Sequence, residues 1–183
     1  MKIFVVRHGE TDSNKAHKLM GQLVDESLNI EGVRQIQELI KNININDFDV
    51  IFTSPLKRAR ETAEIIAAKI KIPIIEKKEI SERDFGSMSG KSWEEMDSAI
   101  KEVNVNFKMT DLEQKYNYRP YGGESVEDVK ERVLRFIEEL KSQYSDKKVL
   151  IIAHGGIMKI MNLLLLRNII NTPGNSTVRQ FDI

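Results

Sequence analysis

Three short, unbroken runs of β-branched and apolar residues constrain this chain most: Ile3 to Val6, Val50 to Phe52, and Val149 to Ala153. A strand that is wet on one face alternates apolar with polar residues. A run with no polar member is covered on both faces, as parallel strands between helices are. Helical periodicities lie between the runs, with Val33, Ile36, Ile40 and Ile43 on one stripe and Val126, Val129, Val133, Ile137, Leu140 and Tyr144 on another. The βαβα alternation predicts a three-layer α/β/α fold with a mostly parallel central sheet flanked by helices. Ile72-Pro73-Ile74-Ile75 reads as a further strand, and its proline confines it to an edge or a strand start. Ile157 to Leu166 reads as an apolar helix, Pro173-Gly174 as a turn, and Val178 to Ile183 as a last strand. Ser125 with Asp128 forms a capping box at one helix start, while Ser54 then Pro55 predicts an N-cap and a proline at the first position of another.

The 183 residues, 40% of them hydrophobic, suit one domain over 1–183. Within it, 91–121 breaks the alternation and carries Trp93, Phe107, Tyr116, Tyr118 and Tyr121, so it reads as an insertion roofing whatever site the fold carries. Lys plus Arg (28) balance Asp plus Glu (28), which leaves no basic excess for a nucleic-acid backbone. Cysteine is absent, which excludes disulfides and thiolate metal sites. The first apolar run meets Arg7 too soon for a secretory segment, and the C-terminal one is broken by His154, Lys159 and Asn162, so no membrane span is expected. A cytoplasmic protein is the expectation.

The chemistry gathers at the ends of the strands. Two of three histidines stand in the same context, Val6-Arg7-His8-Gly9 and Ala153-His154-Gly155-Gly156, each after a buried strand and before glycine. Ligands bind at the carboxyl edge of such sheets, where residues distant in sequence meet. The middle strand leads through Thr53-Ser54-Pro55 to Lys57, Arg58 and Arg60, adding positive charge to that edge. A helix N-terminus and a guanidinium fork together suit phosphate oxygens. Ile80-Ser81-Glu82-Arg83 returns an acid, and with it an arginine, to the same place; Asn14 follows closely on the first strand. His17, in a polar loop, reads as exposed. A metal centre of His8, His154 and Glu82 is conceivable from residue type, but the converging arginines argue against a cation.

At these residues the chain resembles the histidine phosphatase superfamily, which includes phosphoglycerate mutases and broad-specificity phosphatases. The match runs, in order, through Arg7-His8-Gly9-Glu10-Thr11 with Asn14; Leu28 to Gly32; Thr53-Ser54-Pro55-Leu56 with Arg58-Ala59 and Thr62-Ala63; Glu82 with Phe85-Gly86 and Gly90; and Gly122-Gly123-Glu124-Ser125 with Ala153-His154-Gly155-Gly156. Two positions depart from the usual pattern, Ser27 for a proline and Asn29 at a capping place often held by threonine. The resemblance implies that His8 becomes phosphohistidine, that Arg7, Arg58 and His154 bind the phosphoryl group with help from Asn14, and that Glu82 gives the proton. Gly155, Gly21 and Arg83 complete the expected substrate-binding set. No metal or other cofactor is implied; a small phosphate ester is the expected partner and inorganic phosphate the product.

Hydrolysis is the expected outcome. The family's mutases resemble longer chains with a larger insertion and a tail over the site, so mutase-type transfer stands as the alternative and a non-catalytic phosphate-binding module as a remote one. Tyr116, Tyr118 and Tyr121, with Lys91, Lys108, Lys115 and Arg119, would suit a sugar phosphate, a nucleotide or a phosphorylated acid equally.

Overall fold

The computed structural model describes residues 1–42, 47–99 and 106–183. Five strands, β1 (Lys2–Arg7), β2 (Val50–Thr53), β3 (Ile74–Glu76), β4 (Val149–Ala153) and β5 (Val178–Asp182), form one sheet in the order β3-β2-β4-β1-β5. The first four in that order run parallel, and β5 is antiparallel to β1. β2 and β4 are buried along their whole length, which is why both read as continuous apolar runs. β3 sits on the edge, where Pro73 and the missing amide do least harm.

Successive side chains in a strand point to opposite faces, so each strand feeds two cores. Val6, Ile51, Leu150 and Ile152 pack on one side with Ile36 and Ile40 of α2 (Ile30–Asn42) and Ala59, Ala63 and Ile66 of α3 (Lys57–Ile70). Ile3, Val5, Phe52, Val149 and Ile151 pack on the other with α6 (Val126–Gln143) and α7 (Gly155–Leu166). The sheet is therefore the middle layer of three, as expected. Ile43, the last member of the first stripe, lies outside the described residues. The Ser125–Asp128 capping box is present at the start of α6, and every residue of its stripe from Val126 to Leu140 is buried.

The start of α3 differs from expectation. Ser54 still bonds in the sheet through its amide to Ile152 O (3.1 Å), which holds the chain extended past Pro55, and the helix begins at Lys57. Ser54 Oγ accepts instead from the Leu56 amide at 3.3 Å. The remaining helices are α1 (Asp12–Lys15), α4 (Trp93–Ala99) and α5 (Phe107–Leu112). Among the described residues no helix is long and apolar enough to cross a membrane.

Candidate active site

Register brings the two histidines together. Arg7 is paired with Ala153, so the next residues, His8 and His154, leave β1 and β4 side by side, and the His8 amide donates to Ala153 O at 3.0 Å. Their ring centroids lie 5.1 Å apart although 146 positions separate them in sequence. A cleft of about 690 Å³ opens over this edge, lined by Arg7, His8, Asn14, Gly21, Arg58, Glu82, Arg83 and Gly155 among others.

His8 Nδ1 lies 2.7 Å from the Gly9 carbonyl oxygen. A carbonyl only accepts, so Nδ1 carries the proton and Nε2 keeps its lone pair. Gly9 is itself held: its amide donates to Thr62 Oγ1 (3.2 Å), whose hydroxyl donates to Arg58 O (2.8 Å). Burial, then Arg58, then Arg7 hold the His8 imidazole well below its ordinary 6.5, against the opposing pull of the Gly9 bond. The same direction holds for His154, again through burial and Arg58 first. Both rings are neutral at pH 7.

Arginine is the other half of the electrostatics. Arg58 is fully buried and donates to Gly21 O (2.9 Å) and Val24 O (3.2 Å). Burial pulls its guanidinium down to about 10, so it stays charged at neutral pH. Gly21 adopts a left-handed φ of +58°, which turns its carbonyl to this use. Arg7 Nη1 donates to Pro173 O. Arg7 Nε, Arg58 Nε and both ring nitrogens of His154 are buried without a hydrogen-bond partner among the described residues. Such a convergence of N–H groups and positive charge suits an anion's oxygens.

Glu82 faces the same cleft. Its Oε1 accepts from the Arg83 amide at 2.9 Å and its Oε2 from the Gly156 amide at 3.1 Å. Its backbone carbonyl is gripped by Gln22 Nε2 (2.8 Å) and Arg132 Nη2 (3.3 Å), while Glu124 binds Arg132, Gln22 and the Asp84 amide. The acid stands on a braced loop.

Several expectations do not survive as stated. Of the three cations at the start of α3, Arg58 alone lines the cleft; Lys57 is exposed and Arg60 turns towards Glu76 at 3.6 Å. From the 91–121 segment Trp93, Glu94 and Lys108 reach the cleft, and no described tyrosine does. Tyr116 and Tyr118 are core residues stacked on one another at 5.4 Å. Lys115 pairs with Glu113 and Arg119 with Asp128, while Lys91 lines a separate depression. Arg83 is buried, and its Nη1 pairs with Asp111. His17 is exposed, as read, but stands on the rim of the cleft.

A family model of the histidine phosphatase superfamily (branch 1) matches residues 3–178. The chain belongs to the histidine phosphatase superfamily. Among its relatives the phosphatase PhoE of Bacillus subtilis (strain 168) is 36% identical over 153 residues, 84% of this chain and 71% of that protein. The metal-independent phosphoserine phosphatase of Arabidopsis thaliana is 31% identical over 166 residues, 88% of this chain and 67% of that one. A crystal structure of phosphoglycerate mutase from Thermus thermophilus, 28% identical, superposes with a TM-score of 0.78 over 100% of this chain and 93% of its own.

For a histidine phosphatase of this shape, sequence reasoning missed Asn175. Its Nδ2 donates to His8 O (3.1 Å) and to Asn14 Oδ1 (3.0 Å), tying the His8 backbone to Asn14. With Thr172 it lines the cleft from the turn before β5. The signal that could have found it was topological: an antiparallel strand that begins beside the end of β1 must be preceded by a turn at the carboxyl edge, and Ser176 N to Arg7 O (3.1 Å) is that pairing.

Proposed function

We propose that this histidine phosphatase hydrolyses small phosphomonoesters through a phosphohistidine on His8. The observation that carries the reading is the His8 ring, neutral, fixed in its tautomer by Gly9 O and set among Arg7, Arg58 and His154. Nε2 attacks phosphorus, and the two guanidinium groups and the His154 ring take the equatorial oxygens, where charge is greatest in the transition state. The P–O bond to the alcohol breaks as Glu82 gives its proton to the leaving oxygen. Water, deprotonated by the same carboxylate, then attacks the phosphohistidine and releases inorganic phosphate. Asn14 holds a phosphoryl oxygen, Gly155 offers its helix-terminal amide, and Gly21 and Arg83 shape the wall beside them.

Hydrolysis is favoured over mutase transfer by the relatives named as phosphatases, PhoE of Bacillus subtilis and the metal-independent phosphoserine phosphatase of Arabidopsis thaliana. Balanced charge and the lack of cysteine support a small-molecule ester handled in the cytoplasm.

Phosphate release from a panel of phosphomonoesters, measured before and after exhaustive EDTA treatment, checks this directly. Turnover should survive chelation, and vanadate should inhibit competitively and raise the melting temperature, because a ligand of the native state stabilises it. Arg58→Ala should weaken vanadate binding by about 1.5 to 3 kcal/mol, the range for a charge-assisted hydrogen bond. Loss of activity on chelation, restored by zinc or manganese and indifferent to vanadate, would overturn the reading.

A further inference from the structure

Beneath the acid lies a buried ion cluster of which the reaction as proposed uses only Arg83, as part of the wall. Arg83, Asp111 and Lys159 are exposed by only 3%, 4% and 1%. One carboxylate serves two cations: Asp111 Oδ1 takes Arg83 Nη1, and Oδ2 takes Lys159 Nζ at 2.7 Å. Lys159 also donates to the Asp111 carbonyl at 2.9 Å. The Arg83 guanidinium lies against the rings of Phe85 (5.0 Å) and Tyr116 (4.9 Å), which limits where it can go. Burial would lower the Arg83 guanidinium, yet the charges of Asp111 and Glu82, with Tyr118 and Tyr116, together outweigh it and leave it above the ordinary arginine value.

The placement of the partners gives the cluster meaning. Glu82 is held by two amides, those of Arg83 and Gly156. Arg83 belongs to the acid loop; Gly156 lies in the first turn of α7, with Lys159 one turn further on. Both elements that grip the acid are thus fastened through their side chains to the same carboxylate. Asp111 itself lies on α5, and Lys108, three residues earlier and so on a neighbouring face, lines the mouth of the cleft.

We infer that Asp111 is a positioning residue, one that sets the Glu82 carboxyl against the leaving oxygen by holding the acid loop and the start of α7 together. The inference rests on Glu82 as proton donor. A buried ion cluster kept for stability alone can be replaced by apolar groups with little harm. A positioning role makes a different demand: its loss must fall on the step that needs the proton.

Asp111→Asn alone would leave two buried cations unpaired. The double variant Asp111→Asn with Lys159→Met keeps the wild-type net charge of the cluster, and Lys159→Met alone keeps the Asp111–Arg83 pair. Each is assayed beside Glu82→Gln on an alkyl phosphate, whose leaving oxygen needs a proton, and on para-nitrophenyl phosphate, whose leaving group needs little. For the double variant kcat on the alkyl ester should fall at least about tenfold further than on the nitrophenyl ester, with KM and vanadate inhibition within about threefold of wild type. Lys159→Met should show the same bias at about threefold, so the result stands even if the double variant fails to fold. Equal losses on both esters, or a change in melting temperature with no bias, overturn the role of Asp111 while Glu82→Gln still discriminates. No bias in Glu82→Gln removes the acid assignment itself, and the inference with it.

Discussion

His8 and His154 are held neutral by burial and by the two arginines, and this has a sign that stability measurements can read. Their folded pKa values lie below the ordinary 6.5 that the unfolded chain retains. Above pH 6.5 neither state binds the proton, so each native imidazole keeps its full contribution. Below it the unfolded chain binds protons the native one refuses, and stability falls by about 1.4 kcal/mol per pH unit for each histidine until the folded pKa is reached. Urea denaturation of wild type and His154→Gln between pH 7 and 5 should therefore give converging curves, the wild type losing stability faster by about that slope. Parallel curves would mean that His154 titrates normally. The same shift keeps the His8 lone pair free for the proposed attack, so kcat/KM should show no acid limb near 6.5.

At the scale of elements, the site depends on close approaches that only glycine allows. A Cβ on Gly156, in the first turn of α7, would collide with Glu82 Oε1, the movable end of a side chain. A Cβ on Gly32, in the first turn of α2, would collide with Glu10 O and stand 2.7 Å from Glu10 N, which are backbone atoms. The two substitutions should part company. Gly156→Ala displaces the acid, so activity on alkyl phosphates should drop by about tenfold or more with little change in melting temperature, since alanine is the better helix former. Gly32→Ala presses α2 off the loop after His8 and should destabilise the fold by about 1 to 3 kcal/mol, the usual range for overpacking. Kinetics and thermal melts of the pair check this; a stable, inactive Gly32→Ala or an unfolded Gly156→Ala would contradict it.

At the scale of the whole molecule, the features with a local pattern are the ones legible in the sequence. Strand runs, helix stripes and the meeting of His8 with His154 followed from parallel order alone, because a covered parallel strand has a plain apolar signature and its carboxyl end a known location. The family followed from its motifs. What stayed hidden depends on contacts with no local pattern. Asn175 reaches His8 only because β5 runs antiparallel beside β1. Tyr116 and Tyr118 could as well have lined a cleft as filled a core; they fill it because Phe85 and Phe107 offer their rings to Tyr118, and Tyr116 stacks on Tyr118. Asp111 meets Arg83 and Lys159 across 28 and 48 positions, and nothing in its own segment marks it. The start of α3 lies beyond the expected one because sheet pairing at Ser54 overrides a good capping pattern.

The central claim is a covalent one, and trapping tests it most directly. Wild type mixed briefly with a phosphomonoester and quenched in alkali should carry phosphate on the peptide that contains His8, and mild acid should remove it. Phosphohistidine survives base and not acid, whereas an acyl phosphate on Glu82 would be lost in base. His8→Asn should carry no phosphate and turn over no substrate, because the lost group makes a bond to phosphorus rather than a packing contact. Phosphate found on a carboxylate, or turnover that persists in His8→Asn, would contradict the mechanism at its first step.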